Sequence, residues 1–110
     1  MSIGVDIVKV DRFRAMLERA PGLATRFFTE TELTYCAATA DASLHLAGTF
    51  AAKEAVMKTL RLAPAPAWAR RIEIVRASDG APVGRVEGRD IPISISHDAG
   101  VAVAVALDLS

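Results

Sequence analysis

The chain has 110 residues, 52% of them hydrophobic, and its 13 basic residues balance its 13 acidic ones. This composition excludes a disordered chain, and the length predicts a single domain, residues 1–110, with a modest core. A net charge of zero argues against a general nucleic-acid binder, so we expect no nucleic-acid partner.

Cysteine content and apolar runs predict the compartment. Cys36 is the only cysteine, so we interpret it as a small packed residue in a reducing compartment. Asp6 interrupts the first apolar run, which is not typical of a signal peptide, and no apolar stretch reaches the roughly 18–20 residues that span a bilayer. We therefore expect a cytoplasmic protein with no membrane partner.

The first predicted element is a strand from Ile3 to Val10, with Ile3, Val5 and Ile7 on one face. Asp6 then points to the opposite face. A carboxylate in a short apolar strand is costly to bury without a partner or a cation. A turn or capping carboxylate is an equally good interpretation of Asp6 from these residues alone.

A short amphipathic helix follows, ended by Pro21-Gly22. Its apolar positions have the spacing i, i+3, i+4, i+7 and are Phe13, Met16, Leu17 and Ala20. Arg12 and Arg19 lie near each other on its polar side, and Arg14 leaves at another angle. Such arginines usually form only a solvated face.

A capping box at Thr29-Glu30-Thr31-Glu32 predicts the start of a second short helix that continues through Tyr35. The box gives Glu32 a structural explanation, so we assign it no chemistry.

The longest predicted helix runs from Leu46 to Leu60, with Ser43 as its N-cap. Ala52, Val56 and Leu60 would form its buried stripe. On the opposite face, Glu54, Lys58 and Arg61 fall within a narrow sector. The simplest interpretation of that sector is a solvated i, i+4 pair worth about 0.2–0.5 kcal/mol.

After the long helix, the sequence predicts a loop at Leu62–Pro66, followed by Trp68 as a packing anchor. The residues after Trp68 predict antiparallel strands. The predicted turns are 78–80, 88–90 and 97–100. The strands between and around them contain Ile72 and Ile74, Pro82–Glu87, Ile91–Ile95 and Val101–Leu107. Alanines on one face of the last strand predict close packing against Ala51 and Ala55. We therefore expect an α+β fold, with a long central helix on a mainly antiparallel sheet.

Three sequence blocks occur in one order along the chain: IGVDIV, FAAKEAVMK and SISHD. Together they resemble the small holo-acyl-carrier-protein synthases, a class of 4′-phosphopantetheinyl transferases, over nearly the whole chain. The resemblance implies the fold of that class. It also implies transfer of 4′-phosphopantetheine from coenzyme A to a serine of an acyl carrier protein, with release of 3′,5′-ADP.

The resemblance also implies a site. Asp6 and Glu54 would hold Mg²⁺ at the coenzyme diphosphate, and Lys58 would stabilise phosphate charge. Ser96 and His97 would line the coenzyme pocket. The catalytic residues would be Glu54, Lys58 and His97, with Glu54, acting through a water on the metal, as the preferred base. His45 is interpreted as structural or merely exposed.

The chain departs from the family pattern in the middle of the long helix and after it. Thr49 stands where relatives often have arginine before FAAKEA, and Arg61 stands where a glycine is common. The glycine-rich turn is replaced by the Ala/Pro loop, and a helix that many relatives carry before SISH is missing. Because Arg61 shares a face with Glu54 and Lys58, we expect it to supply the cation that Thr49 does not.

The partners follow from the same resemblance. Arg12, Arg14 and Arg19 are the expected docking surface for an acidic carrier protein. Both faces of the last strand are apolar and need cover, so we predict a homotrimer, which the resemblance also implies, with coenzyme A between neighbouring subunits. Two other functions stay open: a non-catalytic homologue that docks coenzyme A or a carrier protein, and an unrelated Mg²⁺-dependent phosphohydrolase.

Overall fold

One long helix lies across a five-stranded antiparallel sheet in the computed structural model, which describes all 110 residues. The sheet order is β1-β5-β4-β3-β2. The elements are β1 (Ser2–Lys9), α1 (Val10–Arg19), α2 (Gly22–Phe27), α3 (Glu30–Ala37), α4 (Ala42–Leu60), β2 (Ile72–Arg76), β3 (Pro82–Val86), β4 (Arg89–Asp98) and β5 (Val101–Asp108). The α+β prediction with a central helix is confirmed.

Alanines make the contact between α4 and the sheet. Ala51 and Ala55 on the helix are fully buried in one core cluster with Ala104 and Ala106 of β5. Small side chains on both elements let the helix and the sheet approach closely, so the packing predicted from the alternating alanines is correct.

The buried stripe predicted for α4 is confirmed, since Ala52 and Val56 are fully buried and Leu60 packs against the same core. The predicted N-cap needs correction. Asp41, not Ser43, caps the helix, because its Oδ1 accepts a hydrogen bond of 3.1 Å from the backbone N–H of Leu44. The helix therefore begins at Ala42. It is also buried on more than the predicted side, since Lys53 and Thr49 are buried as well.

The segment after α1 forms a helix that was not predicted. α1 ends at Arg19, and the six-residue helix α2 begins at Gly22, with Pro21 at its N-cap. Pro21 has φ −58° and ψ −28°, which are helical values. The same proline that stops one helix therefore starts the next. The capping box of α3 is confirmed, with the Thr29 side chain accepting from the Glu32 backbone N–H.

Two hairpin turns are shorter than predicted. The turn between β3 and β4 contains Glu87 and Gly88, and the turn between β4 and β5 contains Ala99 and Gly100. All four have φ between 50° and 82°, the geometry of tight two-residue hairpins. Arg89-Asp90 and His97-Asp98, predicted in turns, therefore belong to β4.

The first strand exposes its apolar face. Ile3, Val5 and Ile7 share one face, as predicted, but they are 70%, 55% and 66% exposed. Val10, predicted in this strand, begins α1 instead. None of the helices is long and apolar enough to cross a membrane.

Candidate active site

A glycine brings the first strand onto the backbone of α4. A Cβ at Gly4 would lie 2.1 Å from the carbonyl oxygen of Ala55 and 2.9 Å from the backbone nitrogen of Thr59. Only glycine permits this approach, because any side chain would collide with the helix backbone. Asp6 lies two residues further on the same strand face, so the contact at Gly4 sets Asp6 beside the charged face of α4.

Asp6 and Lys58 are joined across the two elements. The Lys58 ammonium donates to Oδ1 of Asp6 at 2.9 Å and to the Val5 carbonyl oxygen at 3.0 Å. The Asp6 side chain is only 16% exposed, while that of Lys58 is 53% exposed. The helix face predicted from the spacing of Glu54 and Lys58 is therefore not simply solvated, and Asp6 is neither a turn nor a capping residue.

Glu54 belongs to the same cluster. Burial raises the pKa of the Glu54 carboxyl, and the negative charge of Asp6 raises that pKa further, while Lys58 acts in the opposite direction. The Asp6 carboxylate beside the Glu54 carboxyl makes this a place where a cation is stabilised. No group of three or more His, Cys, Asp or Glu side chains is arranged to hold a metal ion. Two carboxylates alone suit a hard cation that keeps water and phosphate oxygens as its other ligands.

A cavity of about 350 Å³ opens beside this cluster. Asp6 and Glu54 lie on its wall, together with Lys9 and Arg12. Its apolar floor is formed by Ile7, Val8, Phe13, Met16, Phe27 and Phe50. An acidic pair beside an apolar floor and two cations can bind a ligand that combines anionic groups with an uncharged chain.

The other predicted site residues lie elsewhere on the chain. Ser96 and His97 are exposed near the end of β4, and His97 lines a separate cavity. Arg61 follows the last helical residue with φ 56°, so the helical spacing that placed it beside Lys58 does not extend to it. It lines a third cavity, of about 460 Å³, with Trp68 and Ser2. One chain therefore assembles Asp6, Glu54 and Lys58, but not Ser96, His97 or Arg61.

The predicted docking arginines differ in their surroundings. Arg12 and Arg19 are exposed and make no ion pair, whereas Arg14 donates to Asp11 at 2.6 Å. Arg12 lines the same cavity as Asp6 and Glu54. A partner that contacts Arg12 would therefore reach the edge of the acidic pair.

Sequence reasoning missed a buried ion pair between Glu32 and Lys53, whose side chains are both fully buried. The Lys53 ammonium also donates to the Phe27 carbonyl oxygen at 2.7 Å, and Oε2 of Glu32 accepts from the backbone N–H of Ile74 at 2.7 Å. Burial lowers the pKa of Lys53, and the charge of Glu32 opposes that effect. The pair ties α3 and β2 to α4. Lys53 lies inside a nearly continuous apolar run of α4, and this feature of the sequence could have indicated a buried cation.

Comparison with known proteins supports one family. A profile described as the 4′-phosphopantetheinyl transferase superfamily matches residues 2–106. A holo-[acyl-carrier-protein] synthase of Streptomyces avermitilis is 41% identical over 118 residues, which cover 97% of this chain and 95% of that protein. The fold also matches two solved structures of such synthases. One, from Helicobacter pylori in complex with coenzyme A, has a TM-score of 0.83 and 30% identity over 96% of this chain and 97% of that one. The other, from Bacillus anthracis in complex with CoA (3′,5′-ADP), has a TM-score of 0.82 and 28% identity over 96% and 92%.

Proposed function

The chain belongs to the 4′-phosphopantetheinyl transferase superfamily, and within it to the holo-[acyl-carrier-protein] synthases, and on that premise we propose how its own residues carry out the transfer. The substrates are coenzyme A and a serine of an apo acyl carrier protein. The serine Oγ bonds to the phosphorus attached to pantetheine, the diphosphate P–O bond breaks, and 3′,5′-ADP leaves. The observation that carries this proposal is the cluster of Asp6, Glu54 and Lys58, whose two carboxylates line one cavity.

Asp6 and Glu54 would hold a magnesium ion, because two nearby carboxylates match the few protein ligands that Mg²⁺ takes. When bound, the ion neutralises charge that builds on the diphosphate oxygens. Lys58 supports this neutralisation as a point charge, since its exposed ammonium can turn from Asp6 toward a phosphate oxygen. We assign Glu54 to accept the serine proton.

The carrier protein would dock on Arg12, Arg14 and Arg19. Arg12 links this surface to the acidic pair, because both line one cavity. The apolar floor beside it suits the uncharged pantetheine chain. Ser96, His97 and Arg61 would contact the coenzyme, although each lies outside this cavity in a single chain.

A homotrimer would account for that separation. If neighbouring subunits share each coenzyme, residues from different cavities of one chain can act on the same molecule. The exposed apolar side chains of Ile3, Val5 and Ile7 also favour cover by a second copy. We propose that residues 1–110 form one transferase domain of such a trimer in the cytoplasm, where the single unpaired Cys36 would stay reduced.

The direct test is incubation with Mg²⁺, coenzyme A and an apo carrier protein, followed by intact-mass spectrometry. We expect the carrier protein to gain one phosphopantetheine group. Binding of coenzyme A without any gain would identify a non-catalytic docking homologue. Release of phosphate without modification of the carrier protein would identify a phosphohydrolase. Either result would refute the proposed transfer.

A further inference from the structure

A second cavity, of about 160 Å³, lies between the first turns of α4 and the ends of β2 and β4. Its polar side chains are Arg76, His45 and His97, and no carboxylate lines it. A small cavity that carries a permanent positive charge and no acidic group favours an anion.

Arg76 is fixed in this wall by neutral groups. Its guanidinium donates to Oγ1 of Thr49 at 3.1 Å and stacks over the Tyr35 ring at 4.8 Å from the centroid. The Thr49 hydroxyl donates its own hydrogen to the His45 carbonyl oxygen at 2.7 Å, so its oxygen is left to accept from Arg76. These contacts orient the guanidinium without neutralising it.

Arg76 has no carboxylate partner. Four other arginines, Arg14, Arg71, Arg85 and Arg89, each form an ion pair with an Asp or Glu, whereas the half-buried Arg76 forms none. A guanidinium that is partly removed from water and still unpaired interacts strongly with an incoming anion. Thr49 stands where relatives often have arginine. Because Arg76 contacts Thr49, it brings a cation to that same position.

We propose that Arg76 is a phosphate-binding residue, and that this cavity takes the terminal phosphomonoester of the coenzyme A donor. The proposal rests on the proposed function. Asp6 and Glu54 suit a diphosphate that arrives with a metal ion, whereas a cavity without carboxylates suits a phosphate neutralised by protein cations alone. A guanidinium matches the geometry of phosphate oxygens with two parallel hydrogen bonds.

The test compares coenzyme A with dephospho-coenzyme A, which lacks only the terminal phosphate, by isothermal titration without carrier protein. We expect Arg76→Ala to weaken binding of coenzyme A by on the order of ten- to a hundredfold, as for a lost charged hydrogen bond. Binding of dephospho-coenzyme A should change little. Arg85→Ala is the matched control, because Arg85 is an exposed arginine of the same sheet that pairs with Asp90, and it should change neither affinity.

Arg76→Lys is the control for misfolding of Arg76→Ala, because lysine keeps the positive charge and most of the aliphatic part of the side chain. We expect its affinity for coenzyme A to lie between those of the wild type and Arg76→Ala, with an unchanged thermal transition. Equal weakening of both ligands by Arg76→Ala, or no weakening of coenzyme A, would overturn the proposal.

These outcomes are separable from those of the transfer assay. A chain that binds coenzyme A through Arg76 but modifies no carrier protein refutes only the proposed function. A chain that transfers normally with an unchanged coenzyme A affinity in Arg76→Ala refutes only the role of Arg76.

Discussion

The Lys58 ammonium lies 2.9 Å from the Asp6 carboxylate, across 52 residues of sequence and from helix to strand. The contact exists because Gly4, which has no side chain, lets β1 pack directly against the backbone of α4. It places a lysine side chain that is more than half exposed beside a carboxylate that is largely covered. If Asp6 and Glu54 held a metal ion, the Lys58 ammonium would be free to turn from Asp6 toward a phosphate oxygen. The geometry of the site therefore depends on the packing of two elements rather than on a local motif.

The buried pair of Glu32 and Lys53 should be far more important for stability than the exposed pair of Arg85 and Asp90. Lys53→Met leaves a buried carboxylate without its cation, so we expect the free energy of unfolding to fall by about 3–5 kcal/mol in urea denaturation. The matched control is Arg85→Met, where a pair exposed on both sides should cost no more than about 1 kcal/mol. Similar losses from both variants would contradict this account of Lys53.

Arg61→Ala should weaken coenzyme A binding by on the order of 1.5–3 kcal/mol if Arg61 makes a charged phosphate contact. Arg61→Gly is the control, because Arg61 has φ 56° and glycine adopts that conformation without cost. We expect the glycine variant to be at least as stable as the wild type and to lose the same affinity. Unchanged titration isotherms for both variants would show that Arg61 only faces solvent.

Charge reversal at Arg12 or Arg19 should raise the Michaelis constant for the carrier protein more than that for coenzyme A. Both arginines are exposed and unpaired, so they are free to steer an acidic partner. Arg14, which pairs with Asp11, should have a smaller effect. The effect should fade with added salt, because exposed charges more than about 8 Å apart are screened at physiological ionic strength. A change confined to the coenzyme A constant would place the docking surface elsewhere.

Sedimentation at micromolar concentration should show a homotrimer. The exposed face of β1 and the half-exposed valines of β5 need cover that a single chain does not supply. A monomer with full transferase activity would contradict the trimer and the sharing of coenzyme A between subunits.

Much of this fold could be predicted because small side chains recur at regular spacing on both of the elements that pack together, α4 and β5. The alternating alanines of β5 and the alanines of α4 predicted their close contact, and the capping box predicted the start of α3. Other features depend on contacts that no local pattern reveals. Pro21-Gly22 is typical of a turn, yet the chain after it gains a helix.

The candidate site was predicted only in part, for the same reason. The resemblance grouped Asp6, Glu54 and Lys58, and the structure brings these three together. Glu32 seemed fully explained by its capping box, so its second role with Lys53 was missed. Arg76 is the last residue of β2, and only the folded chain shows that it meets Thr49. Helical spacing misplaced Arg61, because the helix ends one residue earlier.

The most direct measurement is carrier-protein modification by Asp6→Asn and Glu54→Gln, followed by intact mass at saturating Mg²⁺ and coenzyme A. Both changes remove a negative charge and keep the shape of the side chain, so the fold should survive, as a thermal transition would check. Arg85→Ala serves as the matched control and should retain wild-type transfer. The account predicts that each carboxylate variant loses most of the transfer while the control does not. Near-normal turnover of both variants would contradict the central claim that Asp6 and Glu54 form the metal-binding reaction centre.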